Sequence, residues 1–544
     1  MTNITLVVAL LAASLQQTPS YDLSVSLTPA SRTMTVRGTV RIPVGAFNAD
    51  SIGFSLTELA SDVEAVILDA RMRAVPVRLE QVMRPHPRPG WGTVSWVARP
   101  AGRVATDRPL LLRVAYSIRG ERTSNIFSLG EVASFGAGIT TAWYPELDDH
   151  PLPPDGGPRG LRGSGAVRFT VPRGLVVHAP GIPRHTRADA ARGSFRFEVR
   201  ESSFLSFAVA RYGTVRRQGR VPLTLFQLRA RPGIGRYADD VARSLAVLVH
   251  EFGAFPHSEF ALVEVPDERA NNAGFAGASI DGFILATSQF LDQTFNSAYY
   301  GHELSHQWWG NSVRARETTP IRIMLSEGMA QYGSLRTVEA IDGAAAAERY
   351  RRSGHPGFFD YGSSHYFALV AAGNDWPIES LPGDVNLAVP IINSKGMFVW
   401  DMLSRTIGRE RFRAVLVEAT RRYAGQRVPW ATFQHDLERE TGSDLDWFWA
   451  QWLSRRGAPE WTLAWSIDGD SVRAVVTQMA PFYRATVRVD LVGPAGQRLT
   501  RSMRLDGARS EASWAVAFPV STVVLDPAYE FLRWTPEIRA GFRP

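Results

Sequence analysis

Cysteine is missing altogether from the 544 residues. That excludes disulfides, thiolate nucleophiles, cysteine-ligated zinc and a cysteine-linked lipid anchor, so any bound metal must be held by His, Asp or Glu. Lysine is nearly as scarce: Lys395 is the only one, and arginine supplies the rest of the positive charge. An ammonium is compact where a guanidinium is broad and planar, so a single retained lysine draws attention to its surroundings. Strong charge of one sign is also lacking. The formal net charge is +7, the basic residues are scattered, and no basic run is interleaved with aromatics, so no nucleic-acid partner is expected. Long hydrophobic runs are absent too. The one apolar stretch, residues 4–15, is too short to span a bilayer, and no other segment could be a transmembrane span. It suits the h-region of a signal peptide over residues 1–20, which implies a secreted or periplasmic protein. The competing reading is a buried first strand, since Met1-Thr2-Asn3 carries no basic side chain.

What is present is ample core-forming material. Hydrophobic residues make up 45% of the chain and aromatics 10%, enough for several packed domains. Residues 21–27, 34–42, 110–116, 166–171 and 194–199 alternate apolar and polar side chains between Gly/Pro-rich stretches at 84–90 and 151–165. Period-two runs punctuated in this way predict an N-terminal antiparallel β-sandwich over 21–215. Helical spacing takes over at 237–252. Two strands follow, at 260–265 and 282–286, and then helix upon helix from 289 to 453, with breaks at 354–373 and 377–390. This defines a middle domain over 216–455. Alternation returns at 462–467, 471–476, 486–491 and 522–525, predicting a small C-terminal β-sandwich over 456–544. The fold class is multidomain α+β.

The chemistry-bearing motif is His302-Glu303-Leu304-Ser305-His306, set in a run of good helix formers. Histidines at i and i+4 share one helical face and can reach one ion. The expected cofactor is Zn2+, bound through neutral imidazole nitrogens, with one coordination position left for water. Glu303 projects beside the metal, where it can take the proton from that water. A catalytic zinc needs a third protein ligand. Glu327, in the helical segment 325–332, is the expected one. Glu317 is the competitor, but Arg314, Arg316 and Pro320 around it read as a loop.

His302-Glu-Leu-Ser-His-Gln-Trp-Trp-Gly-Asn311, followed by Ser326-Glu-Gly-Met-Ala330, resembles the aminopeptidase N-type zinc metallopeptidase family, a branch of the gluzincins. Ala142-Trp-Tyr-Pro-Glu-Leu-Asp148 is similar to that family's Trp-Phe-Pro element. Ser394-Lys-Gly-Met397 is similar to its Lys-Gly helix, and Val524-Leu-Asp-Pro527 to the closing strand of its small β-domain. The resemblance implies a thermolysin-like, mostly helical catalytic domain, zinc on His302, His306 and Glu327, and a peptide or protein substrate.

Three departures stand out. The connection from His306 to Glu327 is two residues longer than is usual in the family. The family's amine-binding Gly-x-Met-Glu-Asn strand corresponds to Asn271-Asn-Ala-Gly-Phe-Ala-Gly-Ala-Ser-Ile280, which holds no carboxylate; Glu268 and Asp281 flank it. Where the family has a Tyr that donates to the oxyanion, this chain has Asn393, an amide that can still donate. Tyr361, Tyr366 and His365 in the preceding loop could substitute, but they read better as surface aromatics. The expectation is a zinc metallopeptidase with aminopeptidase-like architecture and altered end-specificity. The alternative from another class is a catalytically weak, zinc-containing peptide-binding protein. Retention of Glu303 speaks against it, because a structural site has no use for a general base beside an open metal.

Overall fold

The computed structural model describes residues 18–69, 71–82, 93–120, 126–138, 141–147, 163–186, 191–202, 204–272, 277–317, 320–355, 360–382 and 385–541. The apolar stretch 4–15 and the turn-rich segment 84–90 lie outside the described residues, as does most of 151–165. The chain divides into two compact units, one of residues 1–242 and 255–295, the other of 243–254 and 296–544.

In the first unit the alternating segments form strands whose apolar sides face one core. Ser20–Thr28 buries Leu23, Val25 and Leu27, and Thr33–Ile42 buries Met34, Val36 and Val40. They belong to an eleven-stranded sheet. Its inner face shares a core with Phe127, Phe207 and Val209 of a four-stranded sheet, which makes the sandwich. One pair departs from the antiparallel expectation: Ser20–Thr28 runs parallel to Gly163–Pro172. More than a hundred residues separate these strands, and a long connection permits parallel pairing where a hairpin forbids it. Trp143 of the Trp-Tyr-Pro element is fully buried against Phe169 and Phe207, and its indole Nε1 donates to Leu205 O at 2.7 Å. Its role is to seal this core. The same unit holds a five-stranded sheet in which Leu223–Gln227, Phe260–Val265 and Phe283–Thr287 pair in parallel, with Gly277–Ile280 antiparallel at one edge.

The second unit is helical from Ser297 to Trp452 and ends in two three-stranded sheets. One joins Trp461–Asp468, Ser471–Gln478 and Arg509–Ala515. The other joins Arg498–Leu505, Ala485–Val492 and Thr522–Leu525. Arg498–Leu505 and Arg509–Ala515 show little apolar alternation because Arg, Thr and Ser fill the exposed positions of the first, and the inward positions of the second include Ser510 and Ala512. After the last strand, buried Asp526 accepts hydrogen bonds from the backbone N–H of Glu530 (2.7 Å) and Phe531 (3.2 Å) and from Arg533 Nε (3.2 Å), which fixes the closing turn. The helical run is more continuous than its sequence suggests. A nine-residue helix, Ser363–Ala371, occupies part of the expected break, set between Gly362 and Gly373. No helix among the described residues is long and apolar enough to cross a membrane.

Candidate metal centre and active site

The motif helix, Ser297–Ser305, starts where the Asn296 side chain accepts the backbone N–H of Tyr299 at 3.0 Å. Such a cap satisfies one of the donors that a helix start leaves without an intrahelical partner. Every residue of this helix is buried. It lies against Met329–Asp342 at a contact that two glycines allow. A Cβ on Gly301 would stand 2.8 Å from Ser334 Cα, and one on Gly333 would stand 1.9 Å from Ser305 Oγ. Ser334 Oγ bridges the two helices by donating to Ala298 O at 2.8 Å. This close approach brings the segment just before Met329 onto the histidine face.

That segment, Met324–Gly328, is a π-helical turn, and Glu327 sits in it. One extra residue in a turn re-aims the side chains around it, and such turns recur at functional sites. A second π-helical turn, Ile392–Gly396, carries Asn393 and Lys395. It follows Pro390, whose missing N–H breaks the regular helical ladder. The two turns touch: a Cβ on Gly396 would lie 3.6 Å from Gly328 Cα.

His302, His306 and Glu327 converge, with their donor atoms all within 4.8 Å of one another. The two Nε2 atoms are 3.1 Å apart. His302 Nε2 lies 3.4 Å from Glu327 Oε2, and His306 Nε2 lies 3.7 Å from Oε1. Donors about 2.0–2.2 Å from a tetrahedral zinc ion are separated by about 3.3–3.5 Å, so this donor set fits zinc. His306 Nδ1 lies 3.2 Å from Trp309 O. A proton held there on Nδ1 leaves the Nε2 lone pair for a metal. Burial pushes the Glu327 carboxyl up, but the two imidazoles, His306 foremost, outweigh it and hold it down to about 2. The group is therefore an anion, as a ligand must be. Glu303 lies between the histidines on the same buried helix.

The other residues singled out in the sequence separate cleanly. Glu317 is exposed and turned away, both of its oxygens accepting the Trp430 backbone N–H at 3.0 Å. Trp308 and Trp309 pack on Phe252. Tyr366 is fully buried, its hydroxyl 3.0 Å from Asp375 Oδ2 and 3.1 Å from Gly457 O, a structural post. Tyr361, in contrast, is half-buried and hydrogen-bonded to Asn393, with Glu327 near enough to act on its phenol electrostatically. No periodicity in the sequence signals that pairing. In the first unit, Asp281 is buried and accepts Ser202 Oγ at 3.0 Å, while Glu268 is exposed on the helix Asp267–Asn272. Residues 273–276 of the expected amine-binding segment lie outside the described residues.

Lys395 is fully buried. Its Nζ donates to Arg455 O at 2.7 Å and lies 5.6 Å from the Tyr366 ring centre. Burial pulls its pKa down from 10.5 to about 8, with Asp375 acting in the opposite direction. Between those two values the unfolded chain binds the proton and the folded chain does not, so stability rises with pH across this window. The contribution is on the order of 3 kcal/mol, at about 1.4 kcal/mol per pKa unit. Urea unfolding at pH 8 and pH 10 should show this rise in the wild type and a smaller one in Lys395→Met. Equal rises would mean that the ammonium is not strained by burial.

Residues 285–452 match the family model described as "Peptidase family M1 domain". The chain is 23% identical over 253 residues to "Probable aminopeptidase 1" of Sulfurisphaera tokodaii, a match covering 44% of this chain and 30% of the relative. It is 27% identical over 246 residues to "Aminopeptidase M1-B" of Oryza sativa subsp. japonica, covering 41% of this chain and 26% of the relative. A third relative, "Leucyl aminopeptidase" of Saccharolobus solfataricus, is 20% identical over 270 residues, covering 47% and 33%. The matched part spans about a third or less of each relative's length. The histidine pair and Glu327 lie inside the matched segment, so the part of the chain that is similar to the peptidase family M1 domain is the part that carries the converging donor set.

Proposed function

We propose that this chain is a zinc-dependent peptidase that holds its metal on His302, His306 and Glu327 and uses Glu303 as general base. The observation that carries this reading is the convergence of those three donor atoms within 4.8 Å, beside a helix that also bears a carboxylate between the histidines. Zinc, when bound, supplies the positive charge that polarises the peptide carbonyl and acidifies the attacking water. Glu303 takes the proton of that water and delivers it to the leaving amine. Trp309 O keeps the His306 ring in the orientation that ligation needs. Incubating the purified chain with a peptide library, with and without a chelator, and mapping the cuts by mass spectrometry tests the reading. Cuts that appear only with zinc support it, and chelator-resistant cutting refutes it.

The relatives' names point to action at a free amino terminus. The residues here favour a looser requirement. Recognising a charged amine in a partly desolvated site calls for an opposing carboxylate. The segment 271–280 offers none, and Asp281 is engaged by Ser202. An N-acetylated peptide and its free counterpart should therefore differ by less than about tenfold in kcat/KM, roughly 1.4 kcal/mol. A preference of about a hundredfold for the free amine would contradict this and single out Glu268 as the anchor to test by substitution.

A further inference from the structure

The family resemblance puts the oxyanion donor at position 393, where this chain has an amide. We propose that Tyr361 supplies the oxyanion hydrogen bond in this chain and that Asn393 is the residue that positions it; this rests on the peptidase reading above. Three observations converge on Tyr361. Its phenol is hydrogen-bonded to Asn393, on the π-helical turn that abuts the Glu327 turn. Asn393 Oδ1 has no hydrogen-bond partner among the described residues, so it is the amide Nδ2–H that donates to the phenolic oxygen. The phenol's own O–H is then the donor it can offer a substrate. Second, the Glu327 carboxylate is near enough to act on the same phenol electrostatically. Third, the His365 ring packs edge-to-face on it, with centroids 5.1 Å apart, which restricts its rotation.

Asn393 is poorly suited to the donor role itself. Its side chain is 1% exposed, and its Oδ1 has no hydrogen-bond partner among the described residues. Its amide is committed to Tyr361 and withdrawn from solvent. Tyr366 is excluded by its bonds to Asp375 and Gly457. A hydrogen bond aimed at the carbonyl oxygen as it gains charge acts mainly in the transition state, so its loss appears in kcat and not in KM.

The test is Tyr361→Phe, which removes one oxygen from a half-buried loop residue and leaves the ring in place. The expected result is a fall of about a hundred- to a thousandfold in kcat, with KM within a few-fold of wild type and zinc content unchanged. Affinity for a phosphinic peptide, whose tetrahedral anion mimics the charged oxygen, should fall in parallel when measured by calorimetry. Asn393→Leu alone should also lower kcat, but added to Tyr361→Phe it should cost nothing more, because a positioning residue has nothing left to position. Unchanged kcat and phosphinate affinity in Tyr361→Phe would overturn the assignment, as would a cost from Asn393→Leu that multiplies on top of it. A wild type that neither cuts peptides nor binds the phosphinate would instead overturn the peptidase reading, and this inference with it.

Discussion

Glu303→Gln should retain zinc and fold but lose hydrolysis by about a hundred- to ten-thousandfold in kcat. Gln matches Glu in shape and can still accept and donate hydrogen bonds, so packing in the buried helix Ser297–Ser305 is preserved. What it cannot do is take a proton from water. Because Glu303 lies between the two histidines and outside the converging set of His302, His306 and Glu327, the metal should stay. Steady-state kinetics beside metal analysis separates the two roles. Wild-type turnover in this variant would mean that another group is the base. Loss of zinc along with activity would mean that Glu303 is a ligand.

The second large effect is on the ligands themselves. Zinc that binds the folded chain and not the unfolded one stabilises it by about 2.7 kcal/mol at a hundred times Kd. Wild-type protein stripped by a chelator should therefore unfold at a lower temperature and recover on adding zinc. His302→Ala or His306→Ala should abolish that zinc-dependent shift. Each removes one of two nitrogens only 3.1 Å apart, and two remaining ligands do not make a catalytic site. A full zinc-dependent shift in His306→Ala would place the metal elsewhere.

Much of this site is written in side-chain spacing. Histidines at i and i+4 in a run of helix formers can only face one way, and Glu327 follows in a helical segment, whereas Glu317 sits among loop formers. The structure divides these two carboxylates in the same way, one toward the histidines and one on the Trp430 backbone. The strands were legible by the same logic, as in Thr33–Ile42, where Met34, Val36, Val40 and Ile42 fall on one face with Gly38 between them. What spacing does not carry is contact between distant segments. The parallel pairing of Ser20–Thr28 with Gly163–Pro172 depends on a long connection, not on either strand's pattern. The π-helical turns at Met324–Gly328 and Ile392–Gly396 insert a residue that a 3.6-residue period cannot reveal. The Tyr361–Asn393 bond joins residues on separate elements, and the Trp309 carbonyl that meets His306 is backbone, invisible to any reading of side chains. Lys395 stood out by its rarity, but its burial against Arg455 O follows only from the packing around it.

Metal analysis of the purified wild type beside Glu327→Gln and Glu317→Gln tests the zinc centre most directly. About one zinc per chain is expected in the wild type and in Glu317→Gln, and little in Glu327→Gln, because Glu327 alone of the two brings a carboxylate within reach of both histidines. A wild type purified and dialysed against zinc that still carries none, or full zinc in Glu327→Gln, would contradict it.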